Sequence, residues 1–377
     1  MDDENYAILV GIARYRSDTD YPPLDGPRQD VAHIRKWLVD PNGGNVPRKN
    51  IYVLATPRTL LKPGRGTDPA QLSWTPDQAA FIRAFQNITI DTETGEYKRR
   101  DSRIYLYFSG HGFSVAADTT DKAALFTANA FGIARPNIPG TVYAEAAKRV
   151  ALFKEIVLIM DCCRDIQRNS FYAAYELDQT ESGLAEKVRL FSMYATSKNG
   201  KAQEREFADK GRVYGLLTHA LIRALDEAPT NVLGQVSSTN LNNYLKIRWE
   251  KWYSPTVPAP VPIPIPAPPR TVPAVAGEIF FGSRKKLVAQ PFIVRSTGPS
   301  IVRLESAHLD VVGELGADGV CWSARNDPEN IVIKFGDVAG ERGFALRLAP
   351  CPHTLSVSGR PEATITFDPR IDHVIAL

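Results

Sequence analysis

The sequence predicts an α/β domain built on a mostly parallel sheet with helices on both faces, followed by a separate all-β domain. Three observations carry that prediction. Short, nearly all-apolar runs alternate with stretches of helical periodicity as far as residue 253. Nine of the twenty residues from Ser254 to Pro273 are Pro, a density that removes backbone donors and favours extended, polyproline-like geometry. Beyond it, short runs rich in β-branched and aromatic residues recur, separated by Gly, Pro and Asp. The predicted layout is a first domain over 1–253, a Pro-rich linker over 254–273 and a β-sandwich-like recognition or regulatory domain over 274–377.

Each element has its own signal. Tyr6 to Ile12 is almost wholly apolar, as a strand buried on both faces requires. A helix follows, with Asp25 as its expected cap, Pro27 in its first turn and Val31, Ile34 and Leu38 as its stripe. Ile51 to Leu54 reads as the second strand. Thr75-Pro-Asp-Gln opens a helix that carries Phe81, Ala84 and Phe85 on one face. Arg103 to Phe108 is the third strand, Val142 to Phe153 a helix, Glu155 to Met160 the fourth strand and Val188 to Tyr194 the fifth. Tyr214 to Leu225 is a helix with Leu217, Leu221 and Leu225 aligned. In the last domain, strand-like runs stand at 278–281, 292–295, 301–304, 331–335, 344–348 and 363–367.

Composition excludes several classes of function. With 377 residues, 44% hydrophobic and 23% charged, the chain is globular, neither disordered nor a disulfide-stapled miniature. Lys and Arg total 45 against 42 Asp and Glu, a net charge of +3, which gives no electrostatic reason to expect nucleic acid or an anionic membrane. No run approaches the ~20 apolar residues of a membrane span. The acidic start Met-Asp-Asp-Glu-Asn has no leader pattern. Four cysteines, two of them adjacent, form no disulfide framework, so reduced thiols in a cytoplasmic protein are expected.

Chemistry concentrates where two strands end. In an open parallel sheet, ligands bind outside the carboxyl ends of the strands. The third strand runs into Ser109-Gly-His111-Gly112, the fourth into Asp161-Cys-Cys163-Arg164-Asp165. An imidazole and a thiol are thus delivered to one sheet edge, as thiol nucleophilic catalysis needs: a thiol of ordinary pKa ~8.5 is only slightly ionised at neutral pH, and an adjacent imidazole can take its proton. Glycines beside His111 let a backbone approach closely, and the Gly112 N–H with that of Cys163 can serve as a two-donor oxyanion hole. Taken singly, each residue has a plainer explanation: a strand-end Cys as a small buried hydrophobe, Asp30 as a partner of a helix dipole, Asp161 as a solvated carboxylate, Asp165 as the cap of a following helix. Cys162, on the opposite side of its strand from Cys163, reads as core filler. No metal-ligand spacing is present.

Together these residues resemble the caspase and metacaspase family of cysteine proteases. The His about 50 residues before a Cys that is followed by Arg matches the caspase signature, and Asp161 two before Cys163 matches its metacaspase relatives. The segment Gly26-Pro-Arg-Gln-Asp30 resembles the family's acidic pocket segment, and Ser192-Met-Tyr194-Ala-Thr-Ser its fifth strand. The resemblance covers roughly residues 5 to 250. It implies a caspase-like sheet, His111 and Cys163 as catalytic pair with Gly112 as oxyanion donor, and Asp30, Asp161, Ser192 and Tyr194 at the substrate. It also implies a protein or peptide substrate cleaved after Arg or Lys, since acidic pocket residues engage a guanidinium. No cofactor is implied; calcium activation is left open. Arg168 and Lys187 stand where the family often self-cleaves. A regulatory protein partner of the β-domain is a further expectation. Two readings compete with a protease: an inactive caspase-like scaffold that binds partners through the β-domain, and another thiol hydrolase on a similar sheet.

Overall fold

The computed structural model describes residues 4–56, 75–116, 121–168 and, with short gaps, 170–253, then 269–283 and the backbone of strands between 291 and 376. They divide into two compact units, Met1–Arg223 with Arg248–Ile279, and Ala224–Ile247 with Phe280–Leu377.

In the first unit the chain runs β1 (Tyr6–Gly11), α1 (Gly26–Val39), β2 (Ile51–Ala55), α2 (Gln78–Thr89), β3 (Arg100–Gly110), β4 (Gly112–Val115), β5 (Ala124–Phe126), β6 (Asn137–Ile138), α3 (Gly140–Arg149), β7 (Phe153–Cys162), β8 (Asp165–Gln167), α4 (Ser182–Ala185), β9 (Arg189–Tyr194), the hairpin β10 (Glu204–Phe207) and β11 (Arg212–Gly215), and α5, which begins at Leu216 and ends at Glu227. The end of α5, β12 (Val236–Ser237) and the start of α6 (Ser238–Tyr253) are assigned to the second unit, and β13 (Arg270–Val275) to the first. The main sheet has the order β13-β9-β7-β3-β1-β2. All its pairings are parallel except β13 on β9, as the alternation of strand and helix predicts. The last four residues of the Pro-rich stretch, Arg270–Pro273, belong to this edge strand; residues 254–268 of it lie outside the described residues.

Strand parity decides which residues meet which helix. Ile104, Leu106 and Phe108 of β3 face α2 and α3, where Phe81, Phe85 and Tyr143 close the core. Tyr105 and Tyr107 face the other way, toward Trp37 of α1 and Thr218 of α5. Helices therefore cover both faces. Several boundaries differ from expectation. Tyr214, expected to open a helix, lies in β11, and the helix starts at Leu216. The third helix stops at Arg149 rather than near Phe153, because Ala151 turns left-handed (φ +54°) and Phe153 already pairs with Arg100. Asp165 does not cap a helix; it begins β8, which lies parallel to β4.

In the second unit β12 pairs with β14 (Phe280–Phe281). The remaining strands are β15 (Pro291–Ser296), β16 (Ser300–Ser306), β17 (Leu309–Gly316), β18 (Gly319–Arg325), β19 (Arg342–Arg347), β20 (Pro352–Val357), β21 (Ala363–Thr366) and β22 (His373–Ala376). They form a three-stranded sheet, β19-β15-β22, and a five-stranded one, β18-β17-β16-β20-β21, consistent with the all-β content read from the sequence. The run at 331–335 lies outside the described residues. Among the described residues no helix is long and apolar enough to cross a membrane.

Candidate active site

His111 and Cys163 are brought level by two strand pairings. Before them β3 and β7 pair Gly110 with Cys162; after them β4 and β8 pair Phe113 with Asp165. The offset between partners is the same in both, so the two loops leave the sheet in step and His111 stands opposite Cys163. Both line one cavity of about 110 Å³, sized for a side chain rather than for a drug-like ligand of ~300 Å³ or more.

The ring of His111 is held from one side. Its Nε2 lies 2.8 Å from the Pro22 carbonyl. A carbonyl only accepts, so Nε2 carries the proton and Nδ1 is the basic atom of the ring. The Cys163 thiol is half-buried against the Ala202 carbonyl, 3.8 Å away, and burial pushes its pKa up. Arg164 anchors the loop from beneath. Its guanidinium is fully buried over the Tyr194 ring at 4.6 Å, and it donates to the Thr196 carbonyl and to Asp121. Asp121 also accepts from Arg270 of β13.

The floor of the cavity is acidic. Asp30 is buried and accepts from Ser109 Oγ at 2.9 Å and from the Gly215 amide at 3.0 Å. It lies beyond the first turn of α1, so helix-dipole stabilisation alone does not explain it. Asp161 accepts from both the amide (3.0 Å) and the hydroxyl (2.6 Å) of Thr218. Burial raises Asp161 to about 6. Burial, with the Asp161 charge adding to it, raises Asp30 well above the carboxylate range. Gly215 has to be glycine here, because a Cβ would run into the Asp161 carboxylate.

A third carboxylate escaped the sequence reading. Glu204 lines the same cavity and accepts from the amides of Asp25 (3.2 Å) and Gly26 (2.9 Å). The expected cap, Asp25, makes no side-chain cap bond; Glu204 satisfies the helix start from 178 residues away. Among the described residues no Lys or Arg lines the cavity.

Two expected site residues stand outside this cavity. Ser192 and Tyr194 register with Leu158 and Met160, whose side chains enter the core beneath α3. Tyr194 lies 3.3 Å from Thr141 of α3, on the sheet face opposite Asp161. Neither lines the cavity. Gly112 opens β4, and a Cβ there would lie 2.5 Å from Cys162 Sγ and 2.7 Å from the Ala124 carbonyl. Close packing therefore accounts for this glycine without any substrate. Gly112→Ala is expected to cost ~1–3 kcal/mol of stability, read as a lower Tm, and adding Cys162→Ala should recover part of it. Equal losses in the single and double variants would refute the packing explanation.

Comparison with known proteins agrees with this architecture. The peptidase C14 caspase domain pattern matches residues 4–250, which takes in the main sheet up to β9, both loaded loops and the acidic floor. A probable protease of a Desulfuromonadales bacterium is 28% identical over 235 residues, 59% of this chain and 26% of that protein; the match thus spans about a quarter of the relative's length. With the strand order, the loops at the sheet's carboxyl edge and the match to two thirds of its length all in agreement, the chain belongs to the caspase-domain family of proteases.

Proposed function

We propose that the protein is a cysteine endopeptidase that cleaves after Arg or Lys. The single observation behind this reading is that one cavity holds a thiol, an imidazole with Nδ1 as its basic atom, three carboxylates and, among the described residues, no Lys or Arg. Buried carboxylates without a cation are costly. A substrate guanidinium or ammonium supplies the missing charge, and a guanidinium engages carboxylates in bidentate fashion.

The chemistry is acyl transfer. His111 Nδ1 takes the Cys163 proton, and the thiolate attacks the scissile carbonyl carbon, forming the C–S bond and placing the electron pair on oxygen. The amides of Gly112 and Cys163 stabilise that oxyanion. Collapse breaks the C–N bond, His111 protonates the departing amine, and water, deprotonated by His111, releases the acyl group and restores the thiol.

A positional peptide library read by mass spectrometry tests this. Cleavage should follow Arg and Lys and should cease when Cys163 is alkylated by an electrophilic Arg peptide. Cleavage after Asp or neutral residues would overturn the specificity, and cleavage that survives stoichiometric alkylation would overturn the mechanism.

A further inference from the structure

The loop between β1 and α1 makes more contacts with His111 than the Pro22 carbonyl alone. Tyr15 is fully buried, and its phenolic oxygen accepts from the His111 backbone amide at 2.8 Å. Its ring centroid lies 5.2 Å from the imidazole and stacks on Tyr21 at 5.3 Å. Tyr21 in turn lies 6.1 Å from the same imidazole. The preceding residue makes room for the arrangement. Gly110 has φ +146°, and a Cβ there would stand 2.7 Å from the Tyr15 hydroxyl. The loop itself is fixed at both ends, by Ile12 N on the Ser109 carbonyl and Leu24 N on the Ala13 carbonyl.

We propose that Tyr15 is a positioning residue for His111: its hydroxyl holds the backbone amide and its ring sets the imidazole plane, so that Nε2 meets Pro22 and Nδ1 is presented as the base. This rests on the Cys163–His111 reading above. Backbone and ring are separate handles, and a histidine gripped at only one of them keeps a rotation about its side-chain bonds. Tyr15 grips both. Small losses of orientation in a proton-transferring group cost rate rather than substrate binding, and Tyr15 is not among the described residues that line the cavity with the carboxylates.

Tyr15→Phe keeps the ring and removes the oxygen. On an Arg peptide substrate, kcat per titrated active site is expected to fall ~10-fold with KM within twofold of wild type. A second readout is the pH profile of Cys163 alkylation by iodoacetamide, which needs no substrate. Wild type should react at lower pH than His111→Ala, whose buried thiol ionises only above the ordinary thiol range, and Tyr15→Phe between the two. A merely structural role would lower Tm and the titratable fraction while leaving the profile and kcat per site where they were, and that result overturns the proposal. If His111→Ala reacts with the wild-type profile, the pair itself is wrong. If His111→Ala differs and Tyr15→Phe does not, only the positioning role fails. Should Tyr15→Phe melt below assay temperature, 3-fluorotyrosine at position 15 keeps the shape and weakens the acceptor; it should lower kcat by a smaller factor, and no change at all would count against the role.

Discussion

Cys163→Ala is expected to bring hydrolysis of an Arg peptide down to the background of uncatalysed cleavage, and His111→Ala to lower kcat by ~10²–10⁴-fold. The two losses differ for a physical reason. Without the sulfur there is no atom to acylate, so nothing remains but binding. Without the imidazole the thiol is still in place, but burial has pushed its pKa up, so at neutral pH little of it is thiolate. Raising the pH should therefore rescue His111→Ala in part and Cys163→Ala not at all. Both side chains sit on loops whose flanking strands stay paired without them, so Tm should change little. The measurement is kcat/KM across pH 6 to 9 on protein of verified Tm. Retention of a tenth of wild-type activity by Cys163→Ala, or an identical alkaline limb in both variants, would refute the assignment.

The sheet and the loaded loops are legible in the sequence because they depend on local pattern. The run from Tyr6 is apolar since both faces of β1 are covered, and a strand end is visible wherever such a run meets His111 or Cys163. Facing is harder. The family resemblance put Ser192 and Tyr194 at the substrate; only their register with Leu158 and Met160 shows that they point beneath α3. Glu204 was invisible for a related reason. In Gln-Glu-Arg-Glu it reads as part of a solvated run, and its work as the cap of α1 depends on a contact 178 residues distant. Asp165 fails differently: an acidic residue after a strand suits a helix start, yet pairing with Phe113 draws it into a strand instead. Arg164, adjacent to Cys163, is visible in the sequence only as part of the motif; the Tyr194 ring, Thr196 and Asp121 that make its burial tolerable come from distant segments.

Asp161→Asn should raise Tm at pH 7 and at the same time lower kcat/KM for Arg substrates by ~10²-fold or more. Burial holds the Asp161 carboxyl at about 6, against ~3.9 in an unfolded chain. Between those values the unfolded chain has lost its proton and the folded one has kept it, so stability falls as pH rises through that window and stays low above it. The carboxylate thus costs the resting fold roughly 3 kcal/mol at pH 7, at about 1.4 kcal/mol per pKa unit. A neutral amide of the same shape, still able to accept from Thr218, escapes most of that cost, and at ~2–4 °C per kcal/mol the gain should be several degrees. It should vanish below pH 4, where wild type is protonated in both states. If the protein cleaves after Arg or Lys, the same charge is what the substrate cation neutralises. A small guanidine should therefore raise the Tm of wild type at pH 7 and leave Asp161→Asn unmoved, and wild-type KM for Arg peptides should climb as pH drops below about 6. A variant no more stable than wild type at pH 7, with undiminished kcat/KM on Arg substrates, would mean that Asp161 is not the strained anion awaiting a cation. Strain of this kind persists in a folded protein only while something offsets it. On the proposed reading that partner is the basic side chain of the peptide to be cut, and the acidity that weakens the empty site would also select its substrate.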